Sequence, residues 1–182
     1  MTTNERLRWI LKKLKSRNTE GVNQGIELVH ETWQGYIAEK WGQKESGSAT
    51  RLLQRLLDEL LILARDPDWR MRYAALRALR VITLSDAAVL KTGEIAHLLL
   101  ESLRDNNGRV RYASVHTLNT LRMNFPGDFY VEYYLTLQEL YDLEADAKKR
   151  RTLDQALDRL YSPYLEDLFY AMGYRPMKEI GS

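Results

Sequence analysis

The sequence predicts an all-α chain, a solenoid of about four stacked helical hairpins, and three observations carry that prediction. Apolar residues recur at intervals of three and four along most of the chain, with no alternating stretch of useful strand length. Helical stretches come in pairs parted by turn-favouring strings such as Asp66-Pro67 and Asp105-Asn106-Asn107-Gly108. Residues 65–79 also recur 39 positions later, at 104–118, with seven identities in fifteen: Arg65/Arg104, Asp66/Asp105, Arg70/Arg109, Arg72/Arg111, Tyr73/Tyr112, Ala74/Ala113 and Leu79/Leu118. A two-helix unit of this length buries its apolar face only against its neighbours, which gives the repetition a physical cause in packing.

The first hairpin is expected over about 4–41. Leu7, Ile10, Leu11 and Leu14 form one stripe behind an expected cap at Thr3 or Asn4, and Val22, Ile26, Val29, Trp33 and Ile37 form a second after the Asn18-Thr19-Glu20 break. The string GQKESGS at 42–48 reads as a mobile surface loop. In the second hairpin, 50–84, Leu52, Leu53, Leu56, Leu57, Leu60, Leu61 and Ala64 place a helix at 50–65. Asp66-Pro67 stops it, because the residue before proline avoids helical angles while proline suits a first turn. The next helix, about 67–84, should bury Met71, Ala74, Ala75, Ala78, Leu79 and Ile82. A third hairpin, 93–123, pairs 93–104 with 107–123, where Leu118 and Leu121 fill the core, and Phe125-Pro126-Gly127 ends it. The fourth, 128–160, pairs 128–143 with about 145–160, and 162–174 reads as a capping helix. The aromatics Phe125, Phe129, Tyr130, Tyr133, Tyr134 and Tyr141, with Tyr161, Tyr164, Phe169, Tyr170 and Tyr174, are expected to close the last apolar face of the stack.

At 182 residues the chain suits one domain, 1–182, since domains usually run to about 100–150 residues. A formal charge of +2 gives no broad grip on nucleic acid or an anionic membrane, so any basic surface must be local. Zero cysteines exclude disulfides, thiolate metal sites and cysteine nucleophiles. No stretch has signal-peptide or membrane-span character, so a cytoplasmic protein is expected.

The spacing of acid, apolar residue, arginine, alanine and leucine resembles the HEAT repeat, as Asp66, Met71-Arg72, Ala74-Ala75, Ala78-Leu79 and again Asp105, Val110-Arg111, Ala113, Leu118. The resemblance covers about 50–122 well and 128–160 loosely, and it implies a right-handed α-α superhelix. It also implies a ladder between successive hairpins made by Asp66, Arg72, Asp105 and Arg111, with Glu144 and Arg150 as a third rung one period further on. The wording DPDWRMRYAALRAL is similar to HEAT-like repeats of phycobilisome bilin lyases and phycobilisome-degradation proteins, a likeness confined to one repeat.

With the apolar positions facing inward, Arg70, Tyr73, Arg77 and Arg80 share an outward stripe, and Arg109, Tyr112, His116 and Asn119 are their counterparts in the next repeat. Lys148, Arg151 and Gln155 continue it. Arginine and tyrosine are frequent interface anchors, because a planar five-donor group or a rigid amphipathic ring gains contact at small entropic cost. The expected function is a non-enzymatic scaffold that binds an acidic protein or peptide on a basic, tyrosine-bearing concave face. Nucleic-acid binding through the same stripe is the alternative, and a bilin lyase or phycobilisome chaperone is the second.

No catalytic residue, metal site or cofactor is predicted. His30, His97 and His116 lack zinc-ligand spacing, and the acids at 142–146 are followed by Ala147 where a calcium loop requires glycine. Phosphate-loop, dinucleotide and nucleophile-elbow motifs are absent from the sequence. HEAT-like DNA glycosylases line their cleft with tryptophan and aspartate, but here Trp69 and Asp68 are expected at a turn, off the inner stripe.

Overall fold

Residues 2–42, 47–82, 92–120 and 127–160 are described by the computed structural model, and every regular element among them is an α-helix. In chain order these are α1 (Thr3–Leu14), α2 (Thr19–Lys40), α3 (Ser48–Leu63), α4 (Trp69–Ile82), α5 (Thr92–Leu103), α6 (Gly108–Thr120), α7 (Gly127–Leu143) and α8 (Ala147–Leu160). They fall into two compact units, Met1–Met123 and Asn124–Ser182. Leu121, Phe125, the aromatics from Tyr161 onward and the helix expected at 162–174 lie outside the described residues.

In the first unit, α1 packs on α2, α3 on α4 and α5 on α6. Between pairs, α2 touches α4 and α4 touches α6 in one layer, while α1 touches α3 and α3 touches α5 in the other. This is a solenoid-like stack of helical hairpins, and α4 sits in the middle of its layer.

Local chemistry sets where each helix begins. Thr2 caps α1, one residue before the expected Thr3. Its Oγ1 accepts from the Glu5 backbone N–H at 3.2 Å while its own N–H donates to Glu5 Oε2 at 2.7 Å, a reciprocal capping box. Asn18 caps α2, accepting from the Gly21 N–H at 2.6 Å. Helix α3 starts at Ser48 because Glu39, from the end of α2, reaches over to accept from the N–H groups of Ala49 and Thr50 at 3.0 and 2.9 Å. Helix α4 begins at Trp69, two residues later than expected. Asp66 Oδ1 accepts from the Asp68 N–H, and Asp68 Oδ1 from the Arg70 N–H, so Asp68 takes the capping position.

Buried faces follow the neighbours. On α2 the buried set is Gly21, Gly25, Leu28, Val29, Thr32, Trp33 and Tyr36, whereas the expected Val22, Ile26 and Ile37 are half-buried. The shift comes from α1, which crosses where glycine leaves room. A Cβ on Gly25 would lie 2.8 Å from the Leu14 backbone nitrogen. On α4, Ala74, Ala75, Ala78, Leu79 and Ile82 are buried as expected, but Met71 is half-buried and Leu76 is wholly buried. Packing against α2, α3 and α6 widens the buried arc of this helix. Polar residues on the buried face of α6 are satisfied: Ser114 Oγ donates to the Leu99 carbonyl at 2.6 Å, and Thr117 Oγ1 to that of Ala113 at 2.8 Å.

In the second unit α7 packs on α8. Val131 and Tyr134 form its core with Tyr130, Leu135, Leu157 and Leu160 against them, and Phe129 stacks beside Tyr130 and Tyr133. Tyr130 and Tyr134 thus pack within this helical pair.

Candidate functional site

The repeated wording builds one turn twice. Asp66 Oδ1 accepts from the Asp68 N–H at 2.8 Å, and Asp105 Oδ1 from the Asn107 N–H at 2.8 Å. Arg72 Nη1 donates to the Asp66 carbonyl and Arg111 Nη1 to the Asp105 carbonyl, each at 2.8 Å. One position differs in use. The Arg72 fork also spans to the next hairpin, where Nε and Nη2 meet the Asp105 carboxylate at 2.6 and 2.9 Å. Burial pushes the Asp105 carboxyl up, but the bonds from Arg72 and the Asn107 N–H outweigh it and hold the group below its ordinary value. The same bond raises the Arg72 guanidinium. One period later the turn acid persists, with Glu144 Oε1 accepting from the Asp146 N–H at 3.0 Å and Lys149 Nζ at 4.0 Å from Glu144. Arg150 instead lies over the Tyr141 ring, 4.6 Å from its centroid.

Because these turns fix successive hairpins one period apart, the outward residues of α4 and α6 meet. Tyr73, Arg77, Arg80, Arg109, Tyr112 and His116 line one open depression of about 320 Å³, with Ala113 and Thr117 at its base. The seventh expected residue of the first unit, Arg70, lines an adjoining depression with Tyr73, Arg77 and Arg109, together with Ser16 to Thr19 and Val22 from the α1–α2 turn and α2. Lys148 and Arg151 are exposed on α8, in the second unit.

Among the described residues, the linings of both depressions hold five arginines, Arg17, Arg70, Arg77, Arg80 and Arg109, and no carboxylate. Three of the guanidinium groups, those of Arg70, Arg77 and Arg109, are held by aromatic faces, and that of Arg77 also by an amide. Arg70 and Arg109 lie 5.0 and 5.4 Å from the centroid of the same Trp69 ring, and Arg77 lies 5.6 Å from that of Tyr73. Arg77 Nη1 also donates to Asn23 Oδ1 at 3.1 Å, tying α4 to α2. Asp68 lies 3.7 Å from Arg70 and is 42% exposed, a pair that water screens. Partial burial and the charge of Arg80 push the His116 imidazole below its ordinary value, which favours its neutral form.

Trp69 corrects the sequence reading. Its place at the first position of α4 put it at a turn, away from the stripe, yet it lines the second depression and orients two of its arginines. The signal was available in the register, since Arg70 follows it and Arg109 is the 39-residue counterpart of Arg70. Among the described residues no group of three His, Cys, Asp or Glu side chains is placed to hold a metal ion.

Stacked helical pairs with a recurring turn chemistry define a helical-repeat protein, a class of scaffold that presents extended surfaces to partners. The chain carries, at residues 56–85, a stretch that matches the HEAT repeat. It is similar to the crystal structure of an engineered protein from the Northeast Structural Genomics Consortium, with a TM-score of 0.53 and 17% identity over 83% of this chain. The chain spans 60% of that protein's length, and at this identity the likeness concerns the fold alone. No curated protein matches the sequence. Among the described residues no helix is long and apolar enough to cross a membrane.

Proposed function

We propose that this protein is a non-enzymatic scaffold that holds an acidic protein or peptide segment in the depression between α4 and α6. The supporting observation is the shared lining by Tyr73, Arg77, Arg80, Arg109, Tyr112 and His116 without a carboxylate among them. Each guanidinium offers a planar fork that pairs with a carboxylate through two parallel bonds, a geometry an ammonium group lacks. The tyrosine rings supply apolar contact beside those charges, which a peptide side chain or backbone uses. Stacking of Arg77 on Tyr73 and of Arg109 on Trp69 holds donors in place before the partner arrives, which lowers the ordering cost of binding. The near-balanced total charge and the tyrosine content favour an acidic protein segment over a nucleic-acid duplex.

The test is fluorescence anisotropy with a labelled glutamate-rich peptide at low salt. Replacing Arg77→Glu together with Arg109→Glu is expected to weaken binding about 100-fold, roughly tenfold for each anchor lost. Arg51→Glu with Arg55→Glu, exposed positions on α3, is expected to leave affinity within a factor of two. Unchanged affinity in the first variant, or stronger binding of a DNA duplex than of the peptide, overturns the proposal.

A further inference from the structure

The depression between α4 and α6 has neighbours on either side of the α1–α2 turn. It shares Tyr73, Arg77 and Arg109 with the second depression, about 130 Å³, which lies over the start of α2. That one shares Ser16 and Asn18 with a third, about 600 Å³, formed between α1 and α2. Trp9 and Lys12 line the third depression. Trp9 is 44% exposed, against 6% for Trp33 on the neighbouring helix, so an indole is left facing solvent beside ammonium groups. Lys13 is engaged, its Nζ donating to Gln24 Oε1 at 2.6 Å, and the lining carboxylate, Glu20, accepts from Gln24 Nε2 at 3.4 Å. Lys12 is exposed.

We infer that the three depressions are one track, and that Trp9 with Lys12 is its distal subsite, taking an apolar side chain flanked by a carboxylate from the same acidic segment. The inference rests on the function proposed above and specifies its partner: an extended acidic stretch with an apolar residue near one end. Length follows from geometry. Packed helices lie about 8–10 Å apart, so the path from α6 through α4 to α2 covers about 16–20 Å and the step to α1 brings it to about 24–30 Å. An extended chain covers about 3.3 Å per residue, so about five or six residues fill the first two depressions and about eight or nine reach Trp9. Exposed indole and ammonium groups on an end helix would have no such reason to adjoin an arginine-lined cleft if they served solubility alone.

The experiment uses the full chain and two labelled glutamate peptides with phenylalanine at each end, about six and about ten residues long, chosen to fall short of and to span the track. The longer peptide is expected to bind at least tenfold more tightly than the shorter. Trp9→Ala with Lys12→Glu is expected to abolish that advantage while leaving the affinity of the shorter peptide unchanged. Lys12→Glu alone, on an exposed position, serves if the double variant melts below the wild type, and is expected to reduce the advantage about threefold. Equal affinity for the two peptides in the wild type, or a length advantage undiminished by these substitutions, overturns the distal subsite. In that case, loss of both peptides on Arg77→Glu with Arg109→Glu shows that the wild type still binds them through the central depression, so the two ideas fail separately.

Discussion

Arg72 makes the contact on which the repeat register depends, because a single guanidinium closes its own turn and grips the acid of the next hairpin. Its side chain is 18% exposed and that of Asp105 10%. Arg72→Ala would strand a carboxylate in a poorly hydrated place and is expected to cost about 2–4 kcal/mol, read from urea unfolding midpoints. The pH dependence has a defined sign. The folded Asp105 carboxyl titrates below its ordinary 3.8, so its contribution is complete above that value and is lost as pH falls through the lower folded one. Stability of the wild type should therefore drop on acidification below about pH 4, and Asp105→Asn should flatten that part of the curve. His116 gives a second titration. Its imidazole starts below 6.5, and a bound carboxylate would raise it, so binding takes up a proton and tightens as pH falls from 7.5 toward 5.5. His116→Gln should remove this dependence; a pH profile identical to the wild type would place the imidazole outside the contact.

At the scale of the helix, what the sequence could reveal was whatever repeats along one strip of chain. Leu52 through Leu61 spelled out the buried face of α3 because leucine at three- and four-residue spacing is an unambiguous signal, and all of those residues are buried. On α2 the period finds Val29 and Trp33 in the core but misses the glycine side of the buried face, because glycine carries no hydrophobic signal at all. Gly25→Ala would favour the helix by about 1 kcal/mol yet press a methyl group onto the Leu14 backbone, and a net loss of about 1–3 kcal/mol is expected. Gly93→Ala on α5, where a Cβ would meet nothing within 4 Å, should instead be neutral or slightly stabilising. The start of α3 was equally hidden, because Glu39 caps it from ten and eleven residues away. Removing that cap with Glu39→Ala is expected to cost about 0.5–2 kcal/mol, while thermal melts unchanged by the substitution would assign the start of α3 to Gly47 and Ser48 alone.

Over the whole molecule, the 39-residue period was the feature from which the site could be anticipated. It predicted that Arg70 would neighbour Arg109, Tyr73 neighbour Tyr112, and Arg77 neighbour His116, and the two depressions gather those residues on α4 and α6. It could not reveal the share taken by the first hairpin, whose sequence bears none of the echoed residues although Ser16, Asn18 and Val22 line the second depression. Nor could it foresee that Arg150 would lie over the face of Tyr141. The division into two compact units at residues 123 and 124 falls where the repeat wording weakens. Side-chain nitrogen NMR of the arginines, followed while a glutamate-rich peptide is titrated in, addresses the proposed site most directly. The Nε–H resonances of Arg70, Arg77, Arg80 and Arg109 should move together along one binding curve while those of Arg51 and Arg55 on α3 stay still. Movement confined to Arg51 and Arg55, or no movement at any arginine, would contradict the assignment of acidic-segment binding to the α4–α6 depression.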